Sequence, residues 1–180
     1  MRHLVVVNLL LNKSNQEKGV TLLEVVLVSV IIGIMAAMSV PNLLEEQRQQ
    51  KVNEAFGKVR GALVEAQTNA NRQSTDCTVE LTKSGASGNP AGCVLEPFSV
   101  DTDIVSITKT DFSTSPTNIT FSFTGTTGNA DTLWIARKDF GGNVIESSAK
   151  CIVVSTLGMI RTGINEGGNC VNVENKRYIP

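Results

Sequence analysis

The side chains of this chain that could do chemistry are few. One histidine, His3, sits near the start, and four cysteines, Cys77, Cys93, Cys151 and Cys170, all lie after it in the polar part of the chain. No CxxC pair and no histidine accompanies the cysteines, so a zinc site has no ligand set. Asp101 and Asp103 form a DxD pair, which is read as a solvated turn in preference to a calcium site. Gly141-Gly142 lacks the lysine and the following helix of a phosphate loop and is read as a hairpin turn. The triplet Asn118-Ile119-Thr120 fits a glycosylation sequon, but a strand is the better account of it. A Ser-His-Asp or Cys-His arrangement would have only His3 to draw on. The chain is therefore read as no enzyme, with no catalytic residue, no metal and no cofactor.

One carboxylate calls for a reason. Glu24 is the single charge in the nineteen positions from Leu22 to Val40. At about 1.5 Å per residue those positions span roughly 28 Å, close to the hydrocarbon thickness of a bilayer, so the run can cross a membrane once. An unpaired carboxylate in hydrocarbon is expensive, and one found there usually marks function. The bland alternative is a side chain that reaches the interface from the end of the helix.

Arg2, Lys13 and Lys18 against Glu17 make the segment before the run basic, which keeps it cytoplasmic and sends the remainder outward. Thiols oxidise on that side, and an even count of four favours two disulfides in one of three pairings. The economical local choice joins Cys77 to Cys93 and Cys151 to Cys170. Buried free thiols are the competing reading.

Beyond the run the apolar residues become periodic. Val52, Ala55, Phe56, Val59, Ala62, Leu63, Ala66 and Ala70 recur at three- and four-residue steps with charged residues between them, which predicts an amphipathic helix continuing the stem. Gly33 and Pro41 are the expected helix breaks, Pro41 because it removes a backbone hydrogen bond, and they leave a compliant segment between Gly33 and about Leu44. Strands are expected over 77–81, 104–107, 119–123, 133–137, 151–155 and 159–162, in mostly antiparallel hairpins, with "STLG" turning the last pair. "TGTTGNAD" (124–131) reads as a turn and "KSGASGNPAG" (83–92) as a flexible loop. A sheet of this kind needs a cover, and the face from Val52 to Ala70 is the helical candidate. The fold class is α+β, a long N-terminal helix packed on a mostly antiparallel sheet.

Lys18-Gly19 followed by Val20-Thr21-Leu22-Leu23-Glu24 and an apolar run to Pro41 resembles the class III signal of type IV pilins and type II secretion pseudopilins. The match combines a glycine before the cut, a glutamate at the fifth mature position and an unbroken apolar helix. "NITFSFTGT" (118–126) and "CIVVSTLGMIRTG" (151–163) resemble the head of FimT/GspH-like minor pilins and minor pseudopilins. The resemblance implies cleavage between Gly19 and Val20 by a membrane prepilin peptidase that also methylates Val20. It further implies a leader at 1–19, a transmembrane and filament-core helix at 20–44, an amphipathic helix at 45–72 and a disulfide-bonded β head at 73–180. Val20 stands where phenylalanine is usual, and the leader is longer than most.

The same resemblance implies a subunit held in the bacterial inner membrane by one span, head in the periplasm, and then moved into a periplasmic or cell-surface filament. Its partners would be other pilins or pseudopilins, the peptidase and an inner-membrane assembly platform. Glu24 would meet the Val20 ammonium of a neighbouring subunit, two charges each costly alone. Cleavage would remove His3, and losing Arg2, Lys13 and Lys18 against Glu17 makes the net charge of −1 more negative by two. The alternative function is a DNA-binding minor pilin for uptake in transformation. DNA-capturing relatives carry Gly-Arg-x-Arg where this chain has Gly158-Met159-Ile160-Arg161, so the cations available are Arg161, Lys176 and Arg177.

Overall fold

The computed structural model describes residues 19–109, Phe112 and residues 114–172, without the side chains of 38–42 and of Asn172. Helix α1 runs over Leu22–Gln73, 52 residues. Its helical backbone continues through both Gly33 and Pro41. By its contacts the chain divides into two units at the step from Leu43 to Leu44. Compliance around Pro41 therefore remains a proposal, expressed in no interruption of helical structure.

In the first unit every described side chain of the helix from Leu22 to Ala37 is exposed, nearly all of them apolar. The described side chains end short of the run's end at Val40, and among the described residues no helix is long and apolar enough to cross a membrane.

The second unit joins the remainder of α1 to nine strands: β1 (Cys77–Thr82), β2 (Gly85–Asn89), β3 (Phe98–Ser99), β4 (Val105–Lys109), β5 (Ile119–Phe121), β6 (Asp131–Lys138), β7 (Val144–Val154), β8 (Ile160–Glu166) and β9 (Asn169–Asn172). They form two antiparallel sheets, ordered β3-β2-β1-β5 and β4-β6-β7-β8-β9. The expected helical face is the core of the unit. Val52, Ala55, Val59, Ala62, Leu63, Ala66 and Ala70 are buried in one cluster with Val79, Ile119 and Phe121 of the first sheet and Ile107, Leu133, Ile135 and Ile152 of the second. Small side chains at 55, 62, 66 and 70 let the sheets approach the helix closely, while Val52, Val59 and Leu63 fill the space between. Because strand side chains alternate, Trp134, Ala136, Ala149 and Cys151 form a second, smaller cluster on the other face of the second sheet. Phe112 caps it, its ring 4.9 Å from that of Trp134.

Both expected disulfides are present, Cys77–Cys93 and Cys151–Cys170. The turns at Ser155–Gly158 and Ser122–Gly125 close with backbone hydrogen bonds of 2.8 Å each. One expectation fails: within "KSGASGNPAG", Gly85–Asn89 is no loop but strand β2, paired with β1 from Thr82↔Gly85 to Thr78↔Asn89. Its glycines answer a close approach, since a Cβ on Gly88 would meet the backbone and side chain of Val94 at 2.4 and 2.9 Å.

The two turns are held by one side chain. Gln67 of α1 donates both hydrogens of Nε2, to the Gly125 carbonyl at 2.8 Å and the Gly158 carbonyl at 2.9 Å. Gly158 has φ +78°, and a Cβ there would collide with the Gly125 carbonyl oxygen. Gly158→Ala should therefore destabilise the head by about 2 kcal/mol or more. Gly57, helical and with nothing within 4 Å of a built Cβ, should gain up to about 1 kcal/mol as Gly57→Ala. Urea unfolding of the two variants checks both signs. Opening either disulfide, with separations of 16 and 19 residues, should cost about 3 kcal/mol each in the chain-entropy account, read as a lower midpoint under reduction.

Candidate functional site

The helix start is built by Thr21. Its hydroxyl accepts from the Glu24 backbone N–H at 3.3 Å, and its carbonyl accepts from Glu24 and Val25 at 3.0 and 3.2 Å. Thr21 is thus the N-cap and Glu24 stands at N3, the spacing of a capping box. A carboxylate in the first turn is also favoured by the positive end of the helix dipole. Neither property was drawn from the sequence, although "TLLE" carries the signature of both.

Helical spacing gathers the candidate residues on one side. Val20 and Glu24 line a shallow furrow with Val25, Val28, Ser29 and Ile32, recurring at four- and five-residue steps. Ser29 donates its hydroxyl to the Val26 carbonyl at 2.8 Å, which removes its polarity from the furrow. What remains is apolar, with one carboxylate at the end nearest Val20. Gly19 precedes it in non-helical backbone, exposed and with nothing within 4 Å of a built Cβ. Gly19 and Val20 are both exposed in non-helical backbone, and the furrow beyond them is open and apolar.

The residues singled out in the head stand apart from one another. Arg161 is exposed on β8, its guanidinium 3.8 Å from the Met159 sulfur. Lys176 and Arg177 lie outside the described residues. Asp101 accepts from the Asp103 backbone N–H at 3.1 Å and pairs with Lys51 at 3.3 Å. Those two contacts, in that order, hold its carboxyl below the usual carboxylate range. The DxD pair is a capped turn tied to the helix, and among the described residues no three His, Cys, Asp or Glu side chains gather as metal ligands. Ile119 of the Asn118-Ile119-Thr120 triplet is fully buried in β5. Gly141-Gly142 forms the turn between β6 and β7, fastened by Asp139, which takes the Asn143 backbone N–H at 2.8 Å and its side-chain amide at 3.1 Å.

Comparison with known proteins adds a sequence finding at the same place. Residues 14–40 match the family model of the prokaryotic N-terminal methylation motif. The chain is 35% identical over 81 residues to the type IV major fimbrial protein FimA of Dichelobacter nodosus, over 42% of this chain and 50% of that protein. It thus spans about half the length of the curated relative it matches. Among solved structures it is similar to the type IV minor pilin FimU of Pseudomonas aeruginosa in two crystal forms. One has a TM-score of 0.48 at 14% identity, over 71% of this chain and 94% of that one. The other has 0.45 at 16%, over 68% and 96%. The matched segment, residues 14–40, places the N-terminal methylation motif on Gly19, Val20 and Glu24, at the start of a helix that is apolar over its described first part.

Proposed function

We propose that this chain is a minor pilin or pseudopilin, a non-enzymatic structural subunit of a type IV pilus or a type II secretion filament. The observation that carries this reading is the first unit of α1: a helix apolar and exposed on all sides, interrupted by a single carboxylate in its first turn. A helix that exposes apolar side chains all round is stable only in lipid or among other helices, and a filament subunit meets both in turn. Prepilin peptidase cuts after Gly19 and methylates Val20. The helix then anchors the subunit in the inner membrane with its head outside, until the assembly platform transfers it to a filament. There the Glu24 carboxylate meets the Val20 ammonium of a neighbour. The FimT/GspH-like subgroup is the form of this reading that the head motifs favour.

The DNA-capturing alternative rests on the exposure of Arg161. Met159 occupies the position of the other arginine, and the net charge of −1 gives duplex no general attraction. Head protein should bind duplex weakly, and any binding should fall steeply with salt. Tight binding at physiological salt that disappears in Arg161→Ala would establish the alternative.

Intact mass of membrane protein should give a chain beginning at methylated Val20, and a retained leader in peptidase-positive cells removes this reading. For assembly, Glu24→Ala and Glu24→Gln should both be processed and held in membranes as wild type is, yet both should fall in sheared filaments by about tenfold, the scale of one lost charge pair. Glutamine keeps the N3 side of a capping box but no charge. Normal assembly of Glu24→Gln with failure of Glu24→Ala would assign Glu24 to helix capping alone.

A further inference from the structure

Phe140 is 77% exposed at the tip of the β6–β7 hairpin, a position where turns ordinarily carry polar residues. The tip is fixed, not loose. Asp139 bonds Asn143 through backbone and side chain, and the Gly142 N–H donates to the Asp139 carbonyl at 3.2 Å. Arg48 of α1 lies over the ring, its guanidinium carbon 3.9 Å from the centroid, and donates Nη1 to the Lys138 carbonyl at 3.2 Å. Its charge also reaches the Asp101 carboxylate, which it helps to hold ionised behind the Asp103 backbone N–H and Lys51. The acids nearby are already engaged: Glu45 with Arg137, Asp101 with Lys51, and Asp139 with Asn143. Glu46, two positions before Arg48, leaves the helix on another side.

An aromatic ring with a cation on its face suits the boundary between headgroups and acyl chains, where the ring is in apolar surroundings and the cation meets phosphate. Sequence puts the pair near that boundary. Arg48 follows Val40, the end of the apolar run, by eight residues. We propose that Phe140 with Arg48 is a lipid contact of the membrane-anchored subunit, the ring entering the outer headgroup layer and the guanidinium holding a phospholipid phosphate. The contact holds the head against the bilayer before assembly and must be released on entry into a filament. This rests on the membrane anchoring proposed above.

The test uses the full chain processed to Val20, reconstituted in phosphatidylcholine vesicles with or without bromine near the top of the acyl chains. Phe140→Trp adds an exposed emitter to the buried Trp134, and Ile31→Trp adds one inside the apolar run. Bromine should quench the emission added by Phe140→Trp about twofold, as for a ring at the interface, and Arg48→Gln should reduce that quenching. If Ile31→Trp is quenched and Phe140→Trp is not, the hairpin contact is overturned while the anchor stands. If neither is quenched, both fall. Equal emission from Phe140→Trp in brominated and plain vesicles, together with a blue shift that depends on protein concentration, would assign the ring to protein contacts and also overturn the proposal.

Discussion

Everything ordered in the head depends on one apolar stripe of α1. Neither sheet could stand alone: β3 has two residues and β5 three, and each sheet exposes an apolar face that must be covered. The stripe from Val52 to Ala70 covers both at once, so helix and sheets share a single core. Polar side chains flanking the stripe then fix what the core leaves loose. Gln67 fastens two turns, and Asn69 donates to the Gly92 and Cys93 carbonyls at 3.1 Å each. The Asn69 contacts sit on the first disulfide, so the loop after β2 is held by a covalent bond and by the helix together.

This dependence explains which parts of the fold were legible. The helical stripe was readable because its period is that of the helix and its content is apolar. So were the strand cores at Val79, Ile107 and Ile119, where apolar residues alternate with polar ones, and at Leu133 and Ile152, which lie in short continuous apolar runs. β2 was not, because Gly-Ala-Ser-Gly-Asn has no strand propensity; it pairs because β1 offers an edge and Gly88 lets Val94 approach. The first half of β7, Val144 to Ser148, and β9 were missed for a related reason: they carry polar residues on exposed edges, and pairing across the sheet, not local preference, makes them strands.

The site was legible in a different way. Its signal lies in residue order, Gly19, Val20 and then Glu24 in the first turn of an apolar helix, and order survives without coordinates. The capping by Thr21 is written in the order Thr-Leu-Leu-Glu, the spacing of a capping box. The surroundings of Phe140 had no signal in sequence. Arg48 and Phe140 are far apart along the chain, and only the hairpin brings the ring beneath the guanidinium.

Thr21 also changes how the Glu24 carboxylate should be understood. A free ammonium at Val20 would stand one residue before the N-cap, at the end of the helix where a positive charge is disfavoured. Glu24 lines the same furrow as Val20, four residues on, so a candidate compensating carboxylate exists within the same chain. A neighbour's carboxylate would compete with that internal partner, so the exchange is worth no more than about the one charge pair, roughly 1.4 kcal/mol, whose loss is expected to lower assembly tenfold. In the filament reading proposed above, the larger drive for assembly would come from the apolar furrow and the exposed side chains around it. Charge would set the register at which one helix lies along another, because a shift by one turn leaves a carboxylate and an ammonium unpaired in apolar surroundings.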